Sequence, residues 1–146
     1  MIHHLSIPAV NPRHVADVLA ELMGGPVTRF GPNPNSYVAW AADKFGTAFE
    51  IFPLGTEMKP GAASNGADFS HNANQMDFGA THVALSVTRS KAEVITLAER
   101  EGWRALELSR GSFRVIEFWI ENHLMLEVMP PDMAAEYLAA TQFDSH

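Results

Sequence analysis

The chain writes one pattern of extended and helical segments twice, and that repetition leaves it few ways to fold. In residues 2–10, Leu5, Ile7 and Ala9 alternate with His4, Ser6 and Pro8, the two-residue period of a strand with one apolar face. Asn11-Pro12 then offers a cap and a first-turn proline for a helix. Val15, Val18, Leu19 and Leu22 form its buried stripe, and Gly24-Gly25 ends it. Extended runs follow at 27–30, 36–41 and 47–52, separated by the breaker 31–35 and the turn 43–46. The second copy opens at 81–87, with Val83, Leu85 and Val87 on one face and His82, Ala84 and Ser86 on the other. Ser90 and Glu93 have capping-box spacing, Val94, Leu97 and Ala98 carry the apolar stripe, and Gly102 is the stop. Extended runs at 103–109, 112–120 and 123–129 complete it, with Arg110-Gly111 and Glu121-Asn122 as turns. Both copies read β-α-β-β-β. His4 to His82 and Gly24 to Gly102 are each offset by 78 residues, and Glu50 to Glu127 by 77, so the landmarks repeat in order.

The predicted fold class is α+β, with two tandem βαβββ modules in a single domain, 1–146. Module 1 spans about 1–53, a linker 54–79, module 2 about 80–130, and a C-terminal helix 131–141. Neither half of the 146 residues is expected to bury enough apolar surface to stand alone. The linker is rich in Gly, Asn, Ala and Ser and reads as a loop or lid, while 142–146 is expected to fray.

Charge and composition narrow the chemistry. A formal charge of −7 argues against nucleic acid, because phosphate binding depends on clustered Lys and Arg, and the ten basic residues are scattered. No basic run resembles a membrane-surface patch, and no stretch approaches the ~20 apolar residues of a spanning helix. The cytoplasm is the expected location. With no cysteine, disulfides, thiolate metal sites and a Cys nucleophile are all excluded. A metal would have to be held by His, Asp or Glu, a set that suits zinc, nickel, cobalt, manganese or iron.

Strand parity selects the ligands. A strand points alternate residues to opposite faces. His4 and His82 lie opposite the apolar sets of their strands, and Glu127 lies opposite Leu124, Leu126 and Val128. Glu50 alternates with Phe49 and Ile51. All four polar residues therefore occupy the face that does not pack on a helix. A carboxylate flanked by hydrophobes needs compensation, and two His and two Glu converging on one divalent ion would supply it. Parity also prefers His4 to His3, which would share its face with Leu5 and Ile7.

The openers His4-Leu5-Ser6-Ile7-Pro8-Ala9 and Thr81-His82-Val83-Ala84-Leu85-Ser86-Val87, with the closing strands Ala48–Pro53 and Leu124–Pro130, resemble the vicinal oxygen chelate superfamily over residues 2–129. That superfamily includes glyoxalase I, bleomycin-resistance proteins and extradiol dioxygenases. The resemblance implies curved mixed sheets that cup one metal ion, and the His-Glu-His-Glu order is most similar to that of glyoxalase I. It implies a lyase or isomerase acting on a small oxygenated substrate chelated through two adjacent oxygens, by way of an enolate or enediolate. Glu127 is then the first choice of base and Glu50 the second. An extradiol-type dioxygenase and a non-catalytic drug- or toxin-binding protein are the alternatives, and a homodimer is expected by analogy. Pocket walls are sought among Trp40, Phe118 and Met125, with Tyr37, Trp119 and Met129 as further candidates, and simple core packing is the competing role for most of them. Arg114 is a candidate for binding an anionic substrate group.

Overall fold

Local signals set the elements of each module. The computed structural model describes residues 1–31 and 33–142; the stretch expected to fray lies outside them apart from residue 142. In the first half, β1 (His4–Ala9) leads into α1 (Pro12–Met23), whose start is capped by the Asn11 side chain accepting from the His14 N–H. Gly24 ends α1 at φ 78°, a left-handed conformation that favours glycine. β2 (Gly24–Arg29), β3 (Tyr37–Ala41) and β4 (Ala48–Pro53) complete a sheet of order β1-β4-β3-β2, in which β1 and β4 are parallel and the other neighbours antiparallel. Ile7 and Ala9 of β1 and Phe49 and Ile51 of β4 are buried, as are Val15, Val18, Leu19 and Leu22 of α1.

The second half repeats this plan. β7 (Val83–Ser86) is followed by α2 (Lys91–Glu101), which carries the expected capping box: the Ser90 hydroxyl accepts from the Glu93 N–H, and the Glu93 carboxylate accepts from the Ser90 N–H. β8 (Ala105–Ser109), β9 (Arg114–Ile120) and β10 (Leu124–Met129) join it in the order β7-β10-β9-β8, with β7 parallel to β10. The β9–β10 connection is Glu121-Asn122-His123, in which Glu121 and Asn122 both have positive φ (50° and 59°) and the His123 N–H donates to the Ile120 carbonyl at 2.9 Å. The fold is therefore α+β with two βαβββ modules, and the chain divides into two compact units, Met1–Asp77 and Phe78–His146. Among the described residues no helix is long and apolar enough to cross a membrane.

The linker is not the structureless loop expected. It contains an antiparallel hairpin, β5 (Thr56–Lys59) and β6 (Asp68–His71), that belongs to the first unit. The Asn72 N–H donates to the Gly55 carbonyl at 2.8 Å, the Asn72 side-chain amide donates to Glu57 at 2.6 Å, and Phe69 stacks on Phe52 of β4 with centroids 5.7 Å apart.

α3 (Pro131–Ala140) is tied to the second sheet by Arg114. The guanidinium donates to Glu136 from Nε at 3.1 Å, to Glu107 of β8 from Nη1 at 3.0 Å and to Asp132 from Nη2 at 3.1 Å. Lys91 also pairs with Glu107. The Arg114 hydrogen bond holds the Glu136 carboxyl below its ordinary value, and Lys91, then Arg114, do the same for Glu107. A carboxyl depressed in the folded state contributes stability above its unfolded pKa, about 4.3, and loses it as pH falls through the lower native value. The urea midpoint should accordingly fall in acid below about pH 4, and Arg114→Met should flatten that fall. Superimposable pH profiles for the two proteins would remove the network from the account.

Candidate functional site

The two modules place their carboxylates in the same register. On the parallel ladders, Glu50 of β4 stands opposite Ser6 of β1, and Glu127 of β10 opposite Ala84 of β7. Ser6 and Ala84 each lie two residues after the histidine, so His4 and His82 share the carboxylate faces. Both Glu side chains are largely withdrawn from solvent, 18% exposed for Glu50 and 12% for Glu127.

In the first unit the pair comes together. The Ser6 hydroxyl donates to Glu50 Oε2 at 2.9 Å, and His4 Nε2 lies 3.7 Å from Glu50 Oε1. The latter spacing is too long for a hydrogen bond. It is close to the separation of two ligands on one ion, since bonds of ~2.0–2.2 Å set neighbouring donors roughly 3–3.6 Å apart. Trp40 of β3 stands opposite Ala48 of β4, so it lies on the Glu50 face, and its indole N–H donates to the Thr28 hydroxyl at 2.9 Å.

In the second unit Glu127 faces a partner that strand parity alone did not bring forward. Arg110, in the β8–β9 turn, donates from Nε to Glu127 Oε1 at 2.8 Å and from Nη2 to Glu117 Oε1 at 2.7 Å. Glu117 of β9 is directly opposite Glu127 on the antiparallel ladder. Two carboxylates so placed repel each other, and the shared guanidinium compensates them. The Arg110 hydrogen bond depresses the Glu117 carboxyl against the opposing effect of burial, and Glu117, then Glu127, raises the Arg110 pKa. His82 is exposed, immediately before β7, with Nδ1 3.3 Å from the Ala80 carbonyl. A carbonyl only accepts, so Nδ1 carries the proton and a neutral ring presents its lone pair at Nε2.

Of the expected pocket residues, Met125 is half-buried on the Glu127 face opposite Trp119. Phe118 must be corrected. It is fully buried, edge-on to Trp103 at 5.8 Å, on the opposite face of β9 from Glu117, and so belongs to the core. Arg114 also differs from expectation, because its donors are committed to Glu107, Asp132 and Glu136. Tyr37 lies under the Arg13 guanidinium, 5.5 Å from the ring centroid, and Met129 is buried. Glu117 was legible by the same parity that selects Glu127; Arg110 read only as part of a turn.

The oxygen and imidazole donors fit a borderline or hard divalent ion. The structure brings His4 to Glu50, and it sets His82 and Glu127 on neighbouring segments. Among the described residues no group of three or more His, Asp or Glu side chains is close enough to hold a metal ion.

No family model and no curated protein sequence matches the chain. Solved structures do. The fosfomycin resistance protein FosX of Listeria monocytogenes matches with a TM-score of 0.60 at 12% identity, over 96% of each chain. A mutant of the same protein, in complex with Mn(II) and 1S,2S-dihydroxypropylphosphonic acid, matches at 0.58 and 13% identity over 95% of this chain and 96% of its own. FosX of Mesorhizobium loti matches at 0.56 and 8% identity over 94% and 96%. With these neighbours, the two βαβββ modules establish that the chain has the vicinal oxygen chelate fold.

Proposed function

We propose that this protein is a metal-dependent enzyme of the glyoxalase type, a lyase or isomerase for a small substrate held through two adjacent oxygens. In this reading two His–Glu pairs, His4 with Glu50 in the first unit and His82 with Glu127 in the second, are the candidate ligands for a divalent ion. The observation that carries this reading is the repeated register: a Glu opposite the residue two after a His, in both modules, on the face away from the helix. A surface salt bridge needs no such repetition, whereas a pseudo-symmetric ligand set does. The Mn(II) held by the L. monocytogenes neighbour adds support at the level of the fold.

A bound ion would stabilise negative charge developing on the two substrate oxygens. The chain's own residues divide the remaining work. Glu50 is the better base, because Oε2 is held by the Ser6 hydroxyl and Oε1 is left toward His4, with no Lys or Arg paired to the carboxylate among the described residues. Glu127 would have to give up its Arg110 bond at Oε1 to take a proton there. This reverses the order of preference taken from the family resemblance. The ion-paired Glu127 serves instead as a fixed anionic ligand.

Calorimetric titration of metal-stripped protein with Mn(II) and Ni(II) tests the reading. One ion per chain is expected. Failure of either ion, and of Zn(II), Co(II) and Fe(II), to bind the folded protein would overturn it.

A further inference from the structure

Seven asparagines lie along the chain, and they differ in whether the next backbone nitrogen can attack the side-chain amide. Asn11 and Asn33 precede prolines, which have no N–H to lose. Asn35 precedes buried Ser36, whose N–H donates to the Asn33 carbonyl at 3.3 Å. Asn72 is held at both ends of its amide. Its Nδ2 donates to Glu57 at 2.6 Å, and its Oδ1 accepts from the Asn74 N–H at 2.9 Å. Asn122 is clamped in the same way, Nδ2 donating to the Gly102 carbonyl at 3.1 Å and Oδ1 accepting from the Arg104 N–H at 2.7 Å. Asn74 is followed by Gln75, whose long side chain crowds the nitrogen that would attack.

Asn65 has none of these restraints. It is followed by Gly66, and both residues are exposed in the connection between β5 and β6. On its N-terminal side a turn closes where the Asn65 N–H donates to the Ala62 carbonyl at 3.0 Å. Beyond that turn, neither the Asn65 side chain nor the Gly66 N–H makes a hydrogen bond among the described residues. Gly66 has no Cβ to crowd its own nitrogen, and its backbone can swing toward a neighbouring side chain.

We infer that Asn65–Gly66 is a self-modification site, at which the chain deamidates without an enzyme. The Gly66 nitrogen loses its proton to solvent and attacks Asn65 Cγ. The N–Cγ bond forms, the Cγ–Nδ2 bond breaks, and Nδ2 leaves as ammonia, which takes a proton back from solvent. Water then opens the cyclic imide at either carbonyl. One product is aspartate with the ordinary backbone. The other is isoaspartate, in which the main chain runs through the former side chain. Both add a negative charge to a chain already at −7. Isoaspartate also lengthens the main chain by one atom, at a place where the backbone is closely packed: a Cβ at Gly61 would lie 1.9 Å from the Gly66 carbonyl oxygen. Lengthening the chain there opens the approach of 61 to 66 and loosens the β5–β6 hairpin. That hairpin stacks Phe69 on Phe52, two residues from Glu50 and on the same face of β4. The modification therefore changes, slowly and irreversibly, a hairpin that borders the Glu50 face, whether or not that face holds a metal ion.

The test ages the full chain in neutral buffer and maps it by peptide mass spectrometry, with fragmentation to tell isoaspartate from aspartate. Position 65 should convert at least about tenfold faster than any other asparagine, which is about 1.4 kcal/mol in barrier height. The rate should rise with pH, because the attacking nitrogen must lose its proton. Gly66→Val should slow conversion about tenfold or more. This variant should keep the fold, because φ at Gly66 lies outside the left-handed region and a Cβ there meets nothing within 4 Å. Ageing in urea isolates the contribution of the native structure: Asn72 and Asn122, released from their clamps, should accelerate, and Asn65 should not. Equal rates at 65, 72 and 122 in the folded protein would overturn the site. So would a Gly66→Val protein that converts as fast as wild type, or an Asn65 rate that rises about tenfold on unfolding. In the isoaspartate form, amide hydrogen exchange across 56–59 and 68–71 should be faster; unchanged exchange there would overturn the loosening of the hairpin.

Discussion

Replacing His82 by alanine is expected to weaken Mn(II) binding by at least about a hundredfold, because loss of even an outer partner of a ligand commonly lowers affinity 10–100-fold. The same change should leave the urea midpoint of the metal-free protein where it was. The side chain is exposed, lies just outside β7, and has a single described contact, from Nδ1 to the Ala80 carbonyl. Folding therefore gains little from it, and a purely structural role predicts the same small effect on stability with no effect on metal. His3→Ala is the internal control. Its Nδ1 lies 2.7 Å from the Phe45 carbonyl, and its β1 neighbour His4 is the residue set toward Glu50, so its removal should not change metal affinity. Calorimetry on the three proteins, beside urea titrations, separates the cases. Equal Mn(II) affinity in wild type and His82→Ala would take His82 out of the ligand set and leave the second module without its imidazole.

What the sequence made legible follows strand periodicity. Both β-α-β-β-β modules were visible because their buried strands and helices alternate or stripe their apolar residues, and Asn11, Gly24, Ser90 and Gly102 mark the helix ends chemically. Parity also set Glu50 and Glu127 on the faces away from the helices. The β5–β6 hairpin escaped because β6 is exposed along its whole length and β5 buries no residue, so neither strand has the alternation that betrays a half-buried strand. Arg110 escaped for a different reason. A turn residue has no periodic context, and its reach to Glu117 and Glu127 depends on how the β8–β9 turn folds back over the sheet. Periodicity states which face a residue occupies and says nothing of the distance across that face. For the same reason it could not show that Arg114 would be drawn into contacts with α3.

Phe118→Ala is expected to destabilise the protein by about 3–5 kcal/mol, the usual effect of emptying a buried phenylalanine site. That is a large part of the roughly 5–15 kcal/mol that holds a typical domain folded. Phe118 lies in the middle of β9, between Ala105 of β8 and Leu126 of β10, with Ile116 and Ile120 on the same face and Trp103 edge-on to its ring. Leu126, Ile116 and Ile120 are themselves fixed in strands, so the surroundings can close only partly over the space left. Phe118 and Glu117 are sequence neighbours and must point to opposite sides of the sheet, so a pocket wall at 118 and a functional carboxylate at 117 exclude each other. Trp119→Leu, one residue further on and half-buried on the functional face, should cost distinctly less stability. Urea denaturation of the two variants tests this division of the strand. A loss below about 1 kcal/mol for Phe118→Ala, within the range of ordinary surface changes, would mean that the face of β9 carrying Phe118 is not the core.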